Sequence, residues 1–292
     1  MKGDRLGNYE VHRAWEGFSS VRQISSREIM HSRTDPMEEA RQVYVQQTHL
    51  AERLRENFAE PLVIWDVGLG AAANVMAAME CFETSAPKRP LHIVSFENDL
   101  DSLRLAVANI DCFPYLRAEP ANTLLATGEW RSRRGELTWT LLHGDFAQTM
   151  NRASAPDVIF YDAFMSSADL WTAAIFRQLF AVCADRVTDL ATYTRSTANR
   201  AALLTAGFFV ARGRNAGEKE ETTIAMTPAA ARVPFTQRSD LLSHNWLARW
   251  ERSAAKFPAD ISLSERASFE KTIRDHQQFR NSPDPERLIS AT

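Results

Sequence analysis

The sequence predicts an α/β fold: a doubly wound, mostly parallel sheet with an antiparallel edge strand, extended by helical segments before and after it. Three observations carry that expectation. Short apolar runs alternate with helix-period patterns from about residue 61 to 228, as in a parallel sheet covered on both faces. The run 62–67 passes through Gly68-Leu69-Gly70 straight into a small-residue helical pattern, which reads as a tight strand–turn–helix junction. The last two runs, 208–211 and 222–226, leave no room for a crossover helix, so they are expected to pair antiparallel at one edge.

Taken in order, residues 1–60 read as an N-terminal extension with a hairpin over 17–32 and a helix after it. Met37, Ala40, Val43, Tyr44, Leu50 and Leu54 recur at spacings near three and four. Asp35 is placed to cap that helix and Pro36 to occupy its first turn. In the central unit, 61–228, strands are expected at 62–67, 91–96, 137–142, 157–161, 187–193, 208–211 and 222–226. Helices are expected near 72–83, 99–110, 168–184 and 197–206. Residues 229–292 read as a C-terminal helical extension in which Trp246 and Trp250, four apart, form a packing face against the main unit.

Composition narrows the function. The 292 residues are 45% apolar and 24% charged, which excludes collagenous and low-complexity chains. Lys and Arg number 34 against 37 Asp and Glu, a net charge of −3, so any nucleic-acid contact must come from a local patch rather than bulk charge. Cys81, Cys112 and Cys183 form no ligand pattern and read as small apolar fillers in a reducing compartment. His31 and His143 lack ligand spacing, and no metal is assigned. The polar N-terminus and the absence of a membrane-length apolar run lead us to expect a soluble, cytoplasmic protein.

Four acids follow four successive strands. Asp66 ends the first, before Gly68 and Gly70; Glu97 ends the second, where a carboxylate accepts hydrogen bonds from both ribose hydroxyls of an adenosine ligand. Asp145 follows the third and is placed to meet an adenine amino group. Asp162 tips the fourth. Each is also a candidate loop acid or helix cap. An acid at the glycine turn would repel a pyrophosphate but suits a positive amino group, which favours S-adenosylmethionine over NAD.

These residues resemble the methyltransferase part of MnmC, the bifunctional tRNA wobble-uridine modification enzyme. The family's acidic-x-Gly-Phe-Gly-Thr-Gly-x-Asn motif is similar to Asp66–Asn74. Its Asp-Ala/Gly-Phe motif and Leu-Trp helix start are similar to Asp162-Ala163-Phe164 and Leu170-Trp171, and its Ala-Thr-Tyr-Thr strand and Ala-Gly-Phe to Ala191–Thr194 and Ala206–Phe208. Glu28–Ser32, with Glu38, Glu39, Ala40 and Tyr44, is similar to the entry segment of single-domain relatives.

The resemblance implies a class I methyltransferase, Rossmann-like fold binding S-adenosylmethionine. Asp66, Gly68, Gly70, Asn74, Glu97, Asp145 and Asp162 would hold the cofactor, and Asp162 would also be catalytic, orienting an acceptor amine and accepting its proton. Tyr161 alternates to the other side of its strand and reads as core. The implied acceptor is the aminomethyl group of tRNA wobble uridine.

Three departures bear on that transfer. Ala72 replaces a motif glycine, and the loop 165–169 is shortened. Where the family reads Gly-Arg-Lys-Arg-Glu in the last hairpin, this chain has Glu218 and Glu220 in place of the two arginines, removing expected phosphate contacts. Arg131, Arg133 and Arg134, or Arg212 and Arg214, are the candidates to compensate. The alternatives are a small-molecule N- or O-methyltransferase, an aminopropyltransferase of spermidine-synthase type, and a cofactor-holding module without turnover. The sequence leaves the oligomeric state open, and the family's oxidase half has no counterpart in these residues.

Overall fold

Leu62–Val67 is buried along its whole length, because apolar side chains alternate toward two covered faces. Leu62 and Ile64 join one core layer, and Val63, Trp65 and Val67 join the other. The protein is described here from a computed structural model covering residues 3–30, 34–183, 185–213, 221–233 and 241–280.

The chain opens with a small antiparallel sheet of β1 (Arg5–Leu6), β2 (Tyr9–Arg13) and β3 (Ser19–Gln23). After β3 the chain turns back through a single Arg22–Ile29 bridge; of the hairpin expected over 17–32 only this bridge is seen, because β3 pairs with β2, and residues 31 and 32 lie outside the described residues. Helix α1 (Pro36–Ala40) starts as anticipated: the Asp35 carboxylate accepts from the Met37 and Glu38 amides at 2.9 and 3.2 Å. It widens into a π-helix, Arg41–Gln46, before α2 (Leu50–Arg55).

The central unit follows as β4 (Leu62–Val67), α3 (Ala73–Thr84), β5 (Leu91–Glu97), α4 (Asp101–Ala108), α5 (Ala118–Thr127), β6 (Glu129–Arg131), β7 (Leu137–His143), α6 (Phe146–Thr149) and β8 (Val158–Tyr161). It continues with α7 (Ala173–Cys183), β9 (Asp189–Thr192), α8 (Thr197–Ala206), β10 (Phe209–Gly213) and β11 (Thr222–Met226). These eight strands lie in the order β10-β11-β9-β8-β4-β5-β7-β6. The five from β9 to β7 are parallel, and β11 inserts antiparallel between β9 and β10. The strand order reverses between β4 and β8, which opens a crevice at their carboxyl ends.

β1 and β2 escaped the sequence reading, and so in the central unit did α5, α6 and β6, whose three residues pair antiparallel with β7 and make a second antiparallel edge. Helix α7 starts at Ala173, not near 168, because 162–172 is held as a loop. Tyr161 Oη donates to the Leu170 carbonyl and Trp171 Nε1 to that of Phe164, at 2.5 and 2.9 Å.

The C-terminal segment forms α9 (His244–Glu251), α10 (Arg266–Arg274) and α11 (Gln277–Arg280). Trp246 and Trp250 are buried in the core layer that holds Leu203, Leu204 and Phe208. Asp260 caps α7 from a distance, accepting from the Ala173 and Ala174 amides at 3.0 and 3.1 Å. Gln278 covers the β10 edge: its amide accepts from Val210 N at 2.7 Å and donates to the Val210 and Leu242 carbonyls, both at 2.8 Å. At the start of β9, Asp189 forms a buried ion pair with Arg53 of α2. Among the described residues no helix is long and apolar enough to cross a membrane. Cys183 is buried, and Cys81 and Cys112 are half-buried free thiols.

Gln278→Ala leaves the buried Val210 amide without its acceptor and takes one donor each from the Val210 and Leu242 carbonyls, the first of which keeps Leu242 N at 2.9 Å. A urea titration is expected to show a loss of about 1–3 kcal/mol.

Candidate active site

A cavity of about 770 Å³ opens at the carboxyl ends of β4, β5, β7 and β8, and Gly68, Leu69 and Gly70 line its inner side. Gly68 is required for a reason internal to the fold. Its φ is +92°, and a Cβ there would lie 2.7 Å from the Asp162 carbonyl oxygen. Gly70, at φ +53°, is crowded only by the thioether of Met30, whose sulfur would lie 2.9 Å from an added Cβ. Ala72 takes the left-handed conformation a glycine would adopt freely, with φ +63°, at a cost of about 1–2 kcal/mol. The turn therefore keeps its shape without the third glycine.

The acids differ in what surrounds them. Glu97 ends β5 and lines the cavity; its Oε1 accepts from the Asn98 and Asp99 amides at 2.9 and 3.1 Å, and its Oε2 from Gly70 N at 3.3 Å. Burial pushes this carboxyl up, and those amides pull it back. Asp145 lines the cavity and also caps α6, accepting from Gln148 N at 3.1 Å. Asp162 lines it too, held at Oδ2 by the Asn74 amide at 2.7 Å.

Asp66 departs from expectation. It is fully buried and stands behind the cavity wall instead of in it, because β4 turns its side chain toward Ser95 on β5. Ser95 Oγ donates to Asp66 at 2.7 Å and itself accepts from Trp139 Nε1 at 2.9 Å. Burial pushes the Asp66 carboxyl up to about 8, and Asp162 and Glu97 add to the effect. A direct contact with a cofactor amino group is therefore corrected to a place beneath the turn. Tyr161 is core, as expected.

The N-terminal sheet supplies walls that sequence reasoning missed. Tyr9 lines the cavity and stacks on Phe164, with ring centroids 6.5 Å apart. Burial, with Asp99 and Glu97 nearby, pushes its hydroxyl up. Glu28 bridges to the far wall, accepting from the Met165 and Ser166 amides at 2.8 and 3.1 Å. Tyr193 lines the cavity as well and donates to the Ala163 carbonyl at 3.0 Å. No periodicity marks Tyr9 or Glu28; the available signals were the similarity of the segment from Glu28 to known entry segments and, for Tyr193, the Ala191–Thr194 motif.

Six carboxylates line the cavity (Glu28, Glu97, Asp99, Asp145, Asp162 and Asp169) against one guanidinium, Arg27, among the described residues. Arg131, Arg133 and Arg134 sit at the other end of the sheet, since Arg131 pairs with Thr138 at the start of β7 while the cavity lies past its end. They are corrected as compensating contacts for anything bound there. Arg212 is at the cavity end, 3.6 Å from Glu221. Arg214, Glu218, Glu220, His31 and Ser32 lie outside the described residues.

Residues 117–228 match the family model for S-adenosyl-L-methionine-dependent methyltransferases. The tRNA 5-methylaminomethyl-2-thiouridine biosynthesis bifunctional protein MnmC of Chromobacterium violaceum is 32% identical over 251 residues, covering 78% of this chain and 36% of that protein. Its counterpart from Burkholderia thailandensis is 33% identical over 198 residues, 62% of this chain and 29% of that protein. The chain is an MnmC-like, S-adenosyl-L-methionine-dependent methyltransferase. It spans about a third of the length of the curated relatives it matches. The solved structure of MnmC2 from Aquifex aeolicus shares the fold, with TM-score 0.67 and 21% identity over 92% of this chain and 84% of that one. So does a probable spermidine synthase from Corynebacterium glutamicum, with TM-score 0.51 and 11% identity over 90% and 98%.

The cavity fits the cofactor. Its lining of six carboxylates against one guanidinium among the described residues suits a ligand bearing an ammonium and a sulfonium.

Gly68→Ala is expected to cost about 3 kcal/mol or more in denaturant titrations, because backbone must move, whereas Gly70→Ala displaces only a flexible thioether and costs about 1–2 kcal/mol. In the folded protein Asp66 stays protonated up to about pH 8, while the unfolded chain ionises near 3.8. Wild-type stability should therefore decline as pH rises through that window. Asp66→Asn removes the decline, so the variant should gain on the wild type between pH 5 and pH 8 in paired urea titrations.

Proposed function

We propose that this enzyme transfers the methyl group of S-adenosylmethionine to an amine, with the aminomethyl group of tRNA wobble uridine as its acceptor. The observation that carries the amine is the carboxylate lining of the cavity, with Asp162 at its centre beside Asn74 and Gly68. The tRNA acceptor is supported by the role that the MnmC relatives carry in their name, and we propose the cytoplasm as its location.

Bound in the cavity, the cofactor supplies a methyl carbon on a sulfonium that is already a strong electrophile. The protein's work is then to position and deprotonate. Glu97 would accept from the ribose hydroxyls with the lone pairs its three amides leave free, and Asp145 would face the adenine. The backbone of Gly68 to Gly70 would let the cofactor approach closely. An attacking amine must carry a free lone pair, and Asp162 accepts its proton directly or through water. Holding the two reactants together supplies the rest of the rate.

A free small amine is the second reading. It is favoured by Glu218 and Glu220 in the sequence and by the position of the Arg131 cluster away from the cavity, since phosphate contacts dominate affinity for tRNA.

Calorimetry with S-adenosylmethionine, its decarboxylated form and NAD tests the cofactor class; heat with the decarboxylated form alone would favour aminopropyl transfer. Labelled-methyl transfer to tRNA bearing unmethylated aminomethyluridine, compared with spermidine, separates the acceptors. Asp162→Asn is expected to bind S-adenosylhomocysteine within a few-fold of wild type while turnover falls about a hundredfold or more. A collapse of binding instead would make Asp162 a cofactor residue.

A further inference from the structure

We propose that Asn74 and Tyr44 are positioning residues that hold the Asp162 carboxylate in one orientation, which deepens the amine-methylation reading and rests on it. An aspartate carboxylate turns freely about its last torsion. In a cavity of about 770 Å³ an unrestrained one would present either oxygen in many directions. The Asn74 amide restrains it, donating to Oδ2 at 2.7 Å.

Asn74 is the polar exception in its surroundings. It is the second residue of α3, among buried Ala71, Ala72, Ala73, Val75 and Met76. A buried amide in an apolar helix start is costly unless its hydrogen bond matters. The left-handed turn at Ala72 begins the helix so that this amide reaches the tip of β8.

Tyr44 belongs to a different element. Its ring packs on Phe160 of β8, with centroids 5.3 Å apart, and its fully buried hydroxyl makes no hydrogen bond within 3.5 Å among the described residues; Asp162, Glu39 and Tyr193 are the ionisable groups that face it. Phenylalanine would fill the same space, so packing alone does not account for the hydroxyl. Tyr44 is carried by a six-residue π-helix, a rare wide turn that is frequent at functional sites.

On this assignment Asn74 serves the reaction through Asp162 and not as a principal cofactor contact. Tyr44→Phe and Asn74→Ala, each alone and combined with Asp162→Asn, test it. S-adenosylhomocysteine affinity is read by calorimetry, and kcat and KM by methyl transfer to whichever of the two acceptors above turns over. Each single variant should bind S-adenosylhomocysteine within about threefold of wild type and keep KM, while kcat falls about ten- to a hundredfold. In the Asp162→Asn background both should lose their effect. A tenfold or greater loss of S-adenosylhomocysteine affinity in Asn74→Ala overturns the assignment, as does unchanged kcat or full additivity with Asp162→Asn. If neither acceptor turns over, the amine reading fails by itself. The side-chain amide resonance of Asn74, identified by its loss in Asn74→Ala, then decides: a shift in both Asp162→Ala and Tyr44→Phe upholds the positioning pair, and no shift in either variant overturns it.

Discussion

Where β4 and β8 end side by side, Asp162 N donates to the Val67 carbonyl at 2.9 Å, and the next residue on each strand is driven against its neighbour. A side chain on Gly68 would strike the Asp162 carbonyl and the Ala163 Cα. This close approach sets the distance between the glycine turn and Asp162, and the cavity is built around it. Asn74 follows one turn later, near enough to hold Asp162. The same contact therefore shapes the cofactor turn and fixes the acid at the centre of the proposed acceptor site.

Around that junction the acids are tied to the backbone instead of being left free. Glu97 gathers three amides, one from the glycine turn itself, so the tip of β5 and the turn after β4 move as one piece. Glu28 clasps the Met165 and Ser166 amides and joins the N-terminal sheet to the loop after β8. Hydrogen bonds to an ionised carboxylate are stronger than neutral ones. The walls are thus stiffened by the groups that give the cavity its charge, and that charge suits a cationic ligand.

Charge is also distributed by strand direction. The parallel strands carry their carboxyl ends to the cavity, whereas the β6–β7 turn, with Arg133 and Arg134, falls at the opposite end. A seven-residue strand such as β7 spans about 23 Å, well beyond the roughly 8–10 Å over which charges act in physiological salt. Two arginine-bearing segments that look equivalent in the sequence are therefore not equivalent to a bound substrate.

Apolar patterning located all five parallel strands and the buried face of Trp246 and Trp250, the short connection gave the antiparallel β10–β11 pair, and Asp-Pro chemistry gave the Asp35 cap, because each is a local consequence of burial or of backbone hydrogen bonding. The patterning also brought Glu97, Asp145 and Asp162 to strand ends, where the fold collects them. Short α5, α6 and β6 carried too little pattern to be seen, and the start of α7 depends on Asp260, more than eighty residues away. Only the tertiary structure decided that Asp66 lies behind the wall, that Asn74 meets Asp162, and that Tyr9 and Glu28 close the cavity. The physical reason is that side-chain period assigns a residue to a face, while what it touches depends on which distant segment is folded against that face.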